Sequence, residues 1–97
     1  MYLNIAENGT LTMEEVNDFK RFHIAGDPAS STFKVIAEDA GDNHYWLNAD
    51  AIVELSGNVM NQEWCTAFWG MLQKAEPYGF SDIEGRLIKA HVISEAR

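Results

Sequence analysis

The chain of 97 residues has little cysteine, little proline and no long hydrophobic run. Cys65 is its one cysteine, so no internal disulfide can form, and this favours a reducing compartment. No stretch approaches the roughly 18 consecutive apolar residues that cross a bilayer. The first ten residues, MYLNIAENGT, have neither a basic region nor an apolar signal core. We therefore expect a cytoplasmic protein that makes no contact with membranes.

Positive charge is also scarce, with 7 Lys and Arg against 15 Asp and Glu, and the formal net charge is −8. We do not expect the chain to bind nucleic acid, because affinity for nucleic acid comes largely from basic side chains that neutralise phosphates. Residues 35–73 contain no Lys or Arg at all. A distinctly negative part of the surface is therefore predicted around the acidic residues of this window, Glu38, Asp39, Asp42, Asp50, Glu54 and Glu63.

The composition is otherwise that of an ordinary globular protein, 46% hydrophobic and 23% charged. No repeat, low-complexity tract or linker divides the chain, so residues 1–97 are predicted to form a single globular domain. A domain of this size buries roughly 60–65% of the surface that its unfolded chain exposes. Its stability is expected to be modest.

The N-terminal third combines strand and helix signals. YLNIA predicts a short strand, and Asn8 with Gly9 predicts a tight turn after it. Thr12 and Glu15 have the spacing of a capping box, which predicts a brief helical turn over residues 13–18. The alternating segment FKRFHIAG predicts a strand with one wet face. The alternative is a longer helix with an apolar stripe of Met13, Val16, Phe19 and Phe22.

Two interpretations compete for the segment GDPASSTFKVIAEDAG. Asp27 can cap a helix, Pro28 suits its first position, and Gly41 can end it. These boundaries favour a helix over residues 28–40. The β-branched run TFKVIAE favours the alternative, a β-hairpin that turns between Asp39 and Asn43.

The signals in the second half are clearer. NHYWLN predicts a strand, Asn48 can cap a following helix, and Gly57 can end that helix. Asn61 begins the longest predicted helix, which Pro77 and Gly79 end. The segment GRLIKAHVIS alternates apolar and polar residues and predicts a half-buried strand.

Three predicted strands separated by helical stretches, each strand with one apolar face, indicate an α+β fold. We predict a small antiparallel or mixed three-stranded sheet with helices packed on one face, which is a two-layer sandwich.

The helical segment QEWCTAFWGML carries the densest aromatic content of the chain. Cys65 near its start could act as a nucleophile, but no catalytic motif surrounds it, and a small buried hydrophobe is the better interpretation. The apolar arc is wider than the stripe of about 100° that one packed layer needs. We therefore predict that this arc serves first as core, and that part of it, on Trp64, Phe68 and Trp69, lies in a subunit interface, where aromatic residues are enriched.

The three histidines, His23, His44 and His91, each fall in a different predicted strand. If those strands are neighbours in suitable register, the imidazoles converge, with Asp42 nearby, in a three-histidine zinc site. The spacing matches no metal motif, and Arg21 beside His23 would repel a cation. Histidines on a solvated sheet face are the simpler interpretation.

No cofactor is predicted, because the chain contains no glycine-rich phosphate cradle, no Gly-x-Ser-x-Gly elbow and no paired Cys-x-x-Cys unit. Three functions therefore stay open. The first is a non-enzymatic interaction protein whose partner is another copy of itself or another protein. The second is a small metal-binding protein or enzyme that uses the histidines. The third is an acidic mimic that inhibits a basic nucleic-acid-binding protein.

Overall fold

A computed structural model describes residues 1–93 and contains one mixed sheet and three helices. In chain order the elements are β1 (Tyr2–Ile5), β2 (Leu11–Glu14), β3 (His23–Ala25), α1 (Ser31–Ile36), β4 (Ala37–Gly41), β5 (His44–Asn48), α2 (Ala49–Ser56), α3 (Gln62–Ala75), β6 (Ser81–Asp82) and β7 (Leu87–Ile93). A short 3₁₀ turn, Glu76–Tyr78, follows α3.

The seven strands have the order β2-β1-β3-β7-β5-β4, with β6 added beside β7. β1, β3 and β7 run parallel to one another, and the other pairs are antiparallel. β6 and β3 share one edge of β7. β6 pairs with Leu87 and Ile88, whereas β3 pairs only from His91 onward.

The predicted three-stranded sheet is wrong, because seven strands pair in this structure, although the α+β class is correct. Part of the error lies at the N-terminus, where β2 takes up the first two residues of the helical turn predicted over residues 13–18, and a single turn closed by the hydrogen bond from Asp18 N–H to Glu15 O follows it. Residues Leu11–Glu14 pair with β1 across the Asn8-Gly9 turn, in which Gly9 has a φ of 90°. Pairing with β1 satisfies the backbone hydrogen-bonding groups of this segment. Thr12 and Glu15, which have the spacing of a capping box, therefore have no helix to cap.

The predicted helix over residues 28–40 is also wrong in extent. Ser30, and not Asp27, caps α1 by accepting a hydrogen bond from the Phe33 N–H, and the helix ends at Ile36. The backbone is extended from Ala37, and the chain turns at Asp42 and Asn43, which both have positive φ. The alternative hairpin is therefore correct for the second half of the segment. β4 forms because β5 offers it a ladder of backbone hydrogen bonds, which is interrupted by a shift of register between Asp39 and Gly41.

The helices of the second half are confirmed. The side chain of Asn48 accepts a hydrogen bond from Ala51 N–H at the start of α2, and Gly57 ends that helix with a φ of 78°. Asn61 caps α3 in the same way, accepting from Trp64 N–H at 3.0 Å. The predicted final strand is β7, although Ser94 at the end of that segment lies outside the described residues.

The core lies between one face of the sheet and the three helices. Alternate strand residues point into it, and the helices contribute their apolar faces. Full burial of each Leu, Ile or Phe side chain contributes about 1.5–3 kcal/mol. The central buried residues are Leu3, Ile24, Phe33, Leu47, Ile52, Phe68, Leu72, Ile88 and Val92.

The wide apolar arc of α3 is covered by the chain itself. Trp64 stacks on Phe68 with 5.1 Å between ring centroids, and Phe19 lies against the Trp64 ring. The indole N–H of Trp64 donates a hydrogen bond to the backbone oxygen of Val16 at 2.7 Å. The loop between β2 and β3 thus covers the part of α3 that the sheet does not reach. None of the helices within residues 1–93 is long and apolar enough to cross a membrane.

Candidate functional site

The sheet has a second face, opposite the helices, which we call the open face. It carries the outward side chains of the four central strands. Although the chain has 15 Asp and Glu, none of these outward side chains is a carboxylate. They are Tyr2, Asn4, His23, Ala25, His44, Trp46, Asn48, Leu87, Lys89, His91 and Ile93.

The three histidines form one row across the open face. His23 of β3 and His44 of β5 are both register partners of His91 on β7. Register partners project from the same face, so the row spans three adjacent strands. The His44 and His91 rings lie 5.6 Å apart between centroids, and the His23 ring stacks on Tyr2 at 4.8 Å. The strand adjacency on which the metal hypothesis depends is present.

The side chains of this row are not arranged as a metal centre. Across residues 1–93, no group of three or more His, Cys, Asp and Glu side chains is placed to hold a metal ion. Asp42 meets His44 through its backbone oxygen, which lies 2.8 Å from Nδ1, and not through its carboxylate. The metal site on His23, His44, His91 and Asp42 stays a prediction.

An aromatic cluster with one cation lies beside the histidine row. The ammonium group of Lys89 is 5.5 Å from the ring centroid of Trp46 and 5.8 Å from that of Phe80, within the range of cation–π attraction. The Phe80 ring also lies 6.4 Å from His44, and this side chain is 45% exposed. Sequence reasoning missed this cluster, although the alternation of NHYWLN already puts Trp46 and His44 on one face.

The predicted interface residues have different surroundings. The structure places Trp64 and Phe68 in the chain's own core, with exposed fractions of 4% and 0%. Trp69 is half-buried, and the guanidinium carbon of Arg86 lies 4.6 Å from its ring centroid. The interface on these three residues stays a prediction, and Trp69 is the member that retains appreciable exposed area.

Arg86 also makes a bidentate ion pair with Asp50, with nitrogen to oxygen distances of 2.7 and 2.6 Å. The hydrogen bonds from Arg86 hold the pKa of Asp50 below its ordinary value. The same bonds raise the pKa of Arg86. This pair joins the start of α2 to the residue before β7 and provides no free reactive group.

Cys65 is packed as a structural thiol. Its side chain is half-buried, and Sγ donates to the backbone oxygen of Asn58 at 3.3 Å.

The acidic residues of the basic-free window are exposed, and none of them lies on a central strand, although Glu38 is the register partner of Trp46 and projects from the same face. Glu38 and Asp39 are on the edge strand β4, and Asp42 is in the turn after it. Asp50 and Glu54 are on α2, and Glu63 is in the first turn of α3. Negative charge therefore surrounds a carboxylate-free centre. The acidic-mimic hypothesis stays a prediction.

Comparison with known proteins found no relative, since the chain matches no family model, no curated protein and no solved structure.

Proposed function

We propose that this chain is a non-enzymatic assembly protein that pairs with a second copy of itself through the open face. The observation that carries the proposal is the absence of carboxylates from the outward side chains of the four central strands. In a chain with a net charge of −8, the centre of this sheet surface can meet its own copy without placing carboxylates in contact, because Glu14 and Glu38, the register partners of Tyr2 and Trp46, lie at its edges.

The chemistry of the open face also supports pairing. Trp, Tyr and Phe are enriched at the centres of protein interfaces, and charged residues are depleted there. The open face brings together Tyr2, Trp46 and the partly exposed Phe80, and Lys89 is the one permanently charged side chain on the outward side of its four central strands. Val35 on α1 is an exposed hydrophobic residue that stands alone, and Val59 and Met60 form an exposed pair before α3; small exposures of this kind are normal for a monomer.

Sedimentation equilibrium at micromolar concentrations tests the proposal directly. The native chain is expected to have twice the mass of one chain. Trp46→Glu is expected to have the mass of one chain, because each copy would then bury a carboxylate in the contact, beside its own Glu38. The matched control is Val35→Glu, which adds the same charge at a side chain that is 82% exposed and distant from the open face, and it is expected to remain a dimer.

Two results would contradict the proposal. One is a native chain that has the mass of one chain at every concentration up to the millimolar range. The other is a Trp46→Glu dimer as tight as the native one. Circular dichroism of each variant shows whether a change in mass reflects unfolding instead of lost contact.

A second candidate, a metal-binding protein, has one observation in its favour, which is the row of histidines in register. A His44 side chain whose Nδ1 is held by a backbone oxygen presents Nε2 outward, as metal-ligating histidines usually do. Addition of Zn²⁺ to chelator-treated protein would then raise the midpoint of thermal unfolding, and His91→Phe would abolish that rise. An unchanged midpoint in the native protein would remove this candidate.

The cellular location belongs with these proposals. We infer a cytoplasmic protein, because the chain of 97 residues has a single cysteine and no possible internal disulfide.

A further inference from the structure

A cleft of about 410 Å³ opens where the sheet is incomplete, and we call it the basic cleft. β6 pairs with β7 up to Ile88, and β3 pairs with it only from His91. In the gap between them the backbone N–H of Lys89 donates to the oxygen of Phe80. The cleft lies beside this gap, and its volume is within the usual range for small-molecule sites.

The rim of the basic cleft holds an unusual share of the positive charge. The chain has only 7 Lys and Arg, and three of them line the cleft: Lys20, Arg21 and Lys89. No Asp or Glu is among its lining residues. The ion pairs within residues 1–93 are those of the N-terminus with Asp18 and of Arg86 with Asp50. None of the three rim cations therefore has a carboxylate partner within 4.0 Å in the described part of the chain.

The floor of the cleft is apolar. Met71 from α3 and the rings of Phe22 and Phe80 contribute to it, and Tyr78 adds a ring that is 79% exposed. Grouped, exposed apolar side chains of this kind are typical of ligand-binding grooves. An occupant suited to both features has an apolar body and one anionic group.

We propose that the basic cleft binds small amphiphilic carboxylates, in which an alkyl or aryl body lies on the Met71 floor and the carboxylate meets Lys20 and Arg21. The charge complementarity is specific to this place, because the protein as a whole repels anions through its net charge of −8. This binding site goes beyond the proposed pairing of two copies and does not require it.

Fluorescence titration with 1-anilinonaphthalene-8-sulfonate, an aromatic anion, followed by displacement with decanoate, tests the proposal. Saturable binding of one probe per chain is expected, with displacement by decanoate and much weaker displacement by decanol, which lacks the charge. Lys20→Gln with Arg21→Gln is expected to weaken decanoate binding about tenfold or more, because charged hydrogen bonds are lost.

The matched control is Lys34→Gln with Lys74→Gln, which removes the same charge from exposed positions that do not line the cleft. Its affinity for decanoate is expected to equal the native one. Met71→Trp, which fills the floor, is expected to reduce binding of both probes while the fold, checked by circular dichroism, persists.

The proposal is overturned if no saturable binding occurs, if decanol displaces the probe as well as decanoate does, or if the control pair weakens binding as much as the cleft pair. These results are independent of self-association. The titration is repeated at a dilution at which scattering gives the mass of one chain, and binding per chain is expected to be unchanged there.

Discussion

The two faces of the sheet differ in what their side chains touch. On the covered face, Leu3, Ile24 and Leu47 are fully buried against residues from the helices. On the open face, the outward side chains of the four central strands are partly buried or exposed, and they include every histidine of the chain. The covered face therefore accounts for stability, and the open face is available for recognition. Substitutions of similar chemistry on the two faces should consequently have unequal effects.

The largest effect is expected from Phe68→Ala on the covered face. Removal of a fully buried aromatic ring leaves a cavity beneath Trp64 and should lower the free energy of unfolding by about 3–5 kcal/mol. The matched substitution, Phe80→Ala, removes a ring that is 45% exposed and should cost far less. Urea denaturation measures both losses. Equal losses would mean that the distinction between the two faces is wrong.

A smaller loss is expected from Gly26→Ala, which disturbs the junction of β1 and β3 and so affects both faces together. Gly26 has a φ of 118°, and an added Cβ would lie 2.4 Å from the backbone oxygen of Ile5. Strain and collision together should cost about 2 kcal/mol or more. Gly57→Ala, with a φ of 78° and open space around it, isolates the strain and should cost less. If the Gly26→Ala protein were as stable as the Gly57→Ala protein, the close approach of Gly26 to the backbone oxygen of Ile5 would be contradicted.

The smallest effect is expected from Asp50→Asn, at the exposed ion pair with Arg86. Because this contact depresses the folded-state pKa of Asp50, its stabilisation is present above the ordinary value of 3.8 and is lost as the pH falls through the lower folded value. The variant should therefore be slightly less stable at pH 7 and indistinguishable from the native chain in strong acid.

Glu54→Gln is the control for that prediction, since it removes a negative charge from an exposed position on the same helix. Thermal unfolding in low and high salt separates the two substitutions, because salt screens an exposed ion pair. A difference between native and Asp50→Asn proteins that persists below the folded-state pKa would show that Arg86 is not its cause.

Some elements were determined by the sequence because their signals are local. Asn48 and Asn61 each begin a helix, and the side chain of each accepts a hydrogen bond from the backbone N–H three residues later. Gly57 ends a helix in the left-handed conformation that favours glycine. The alternation of β7 likewise identified Ile88, Ala90 and Val92 as the buried set. All of these signals act within a few residues, so the rest of the chain does not alter them.

Other features were decided only by the tertiary structure. Residues 31–41 carry both helical and strand signals, and the division into α1 and β4 depends on β5 as a pairing partner. The row of histidines depends on which strands are neighbours, and the basic cleft exists because β6 and β3 do not meet along β7. Strand order and register result from hydrogen bonds between segments distant in the chain. No short stretch of sequence contains both partners of such a bond, and the pairing that buries the most apolar surface decides among the alternatives.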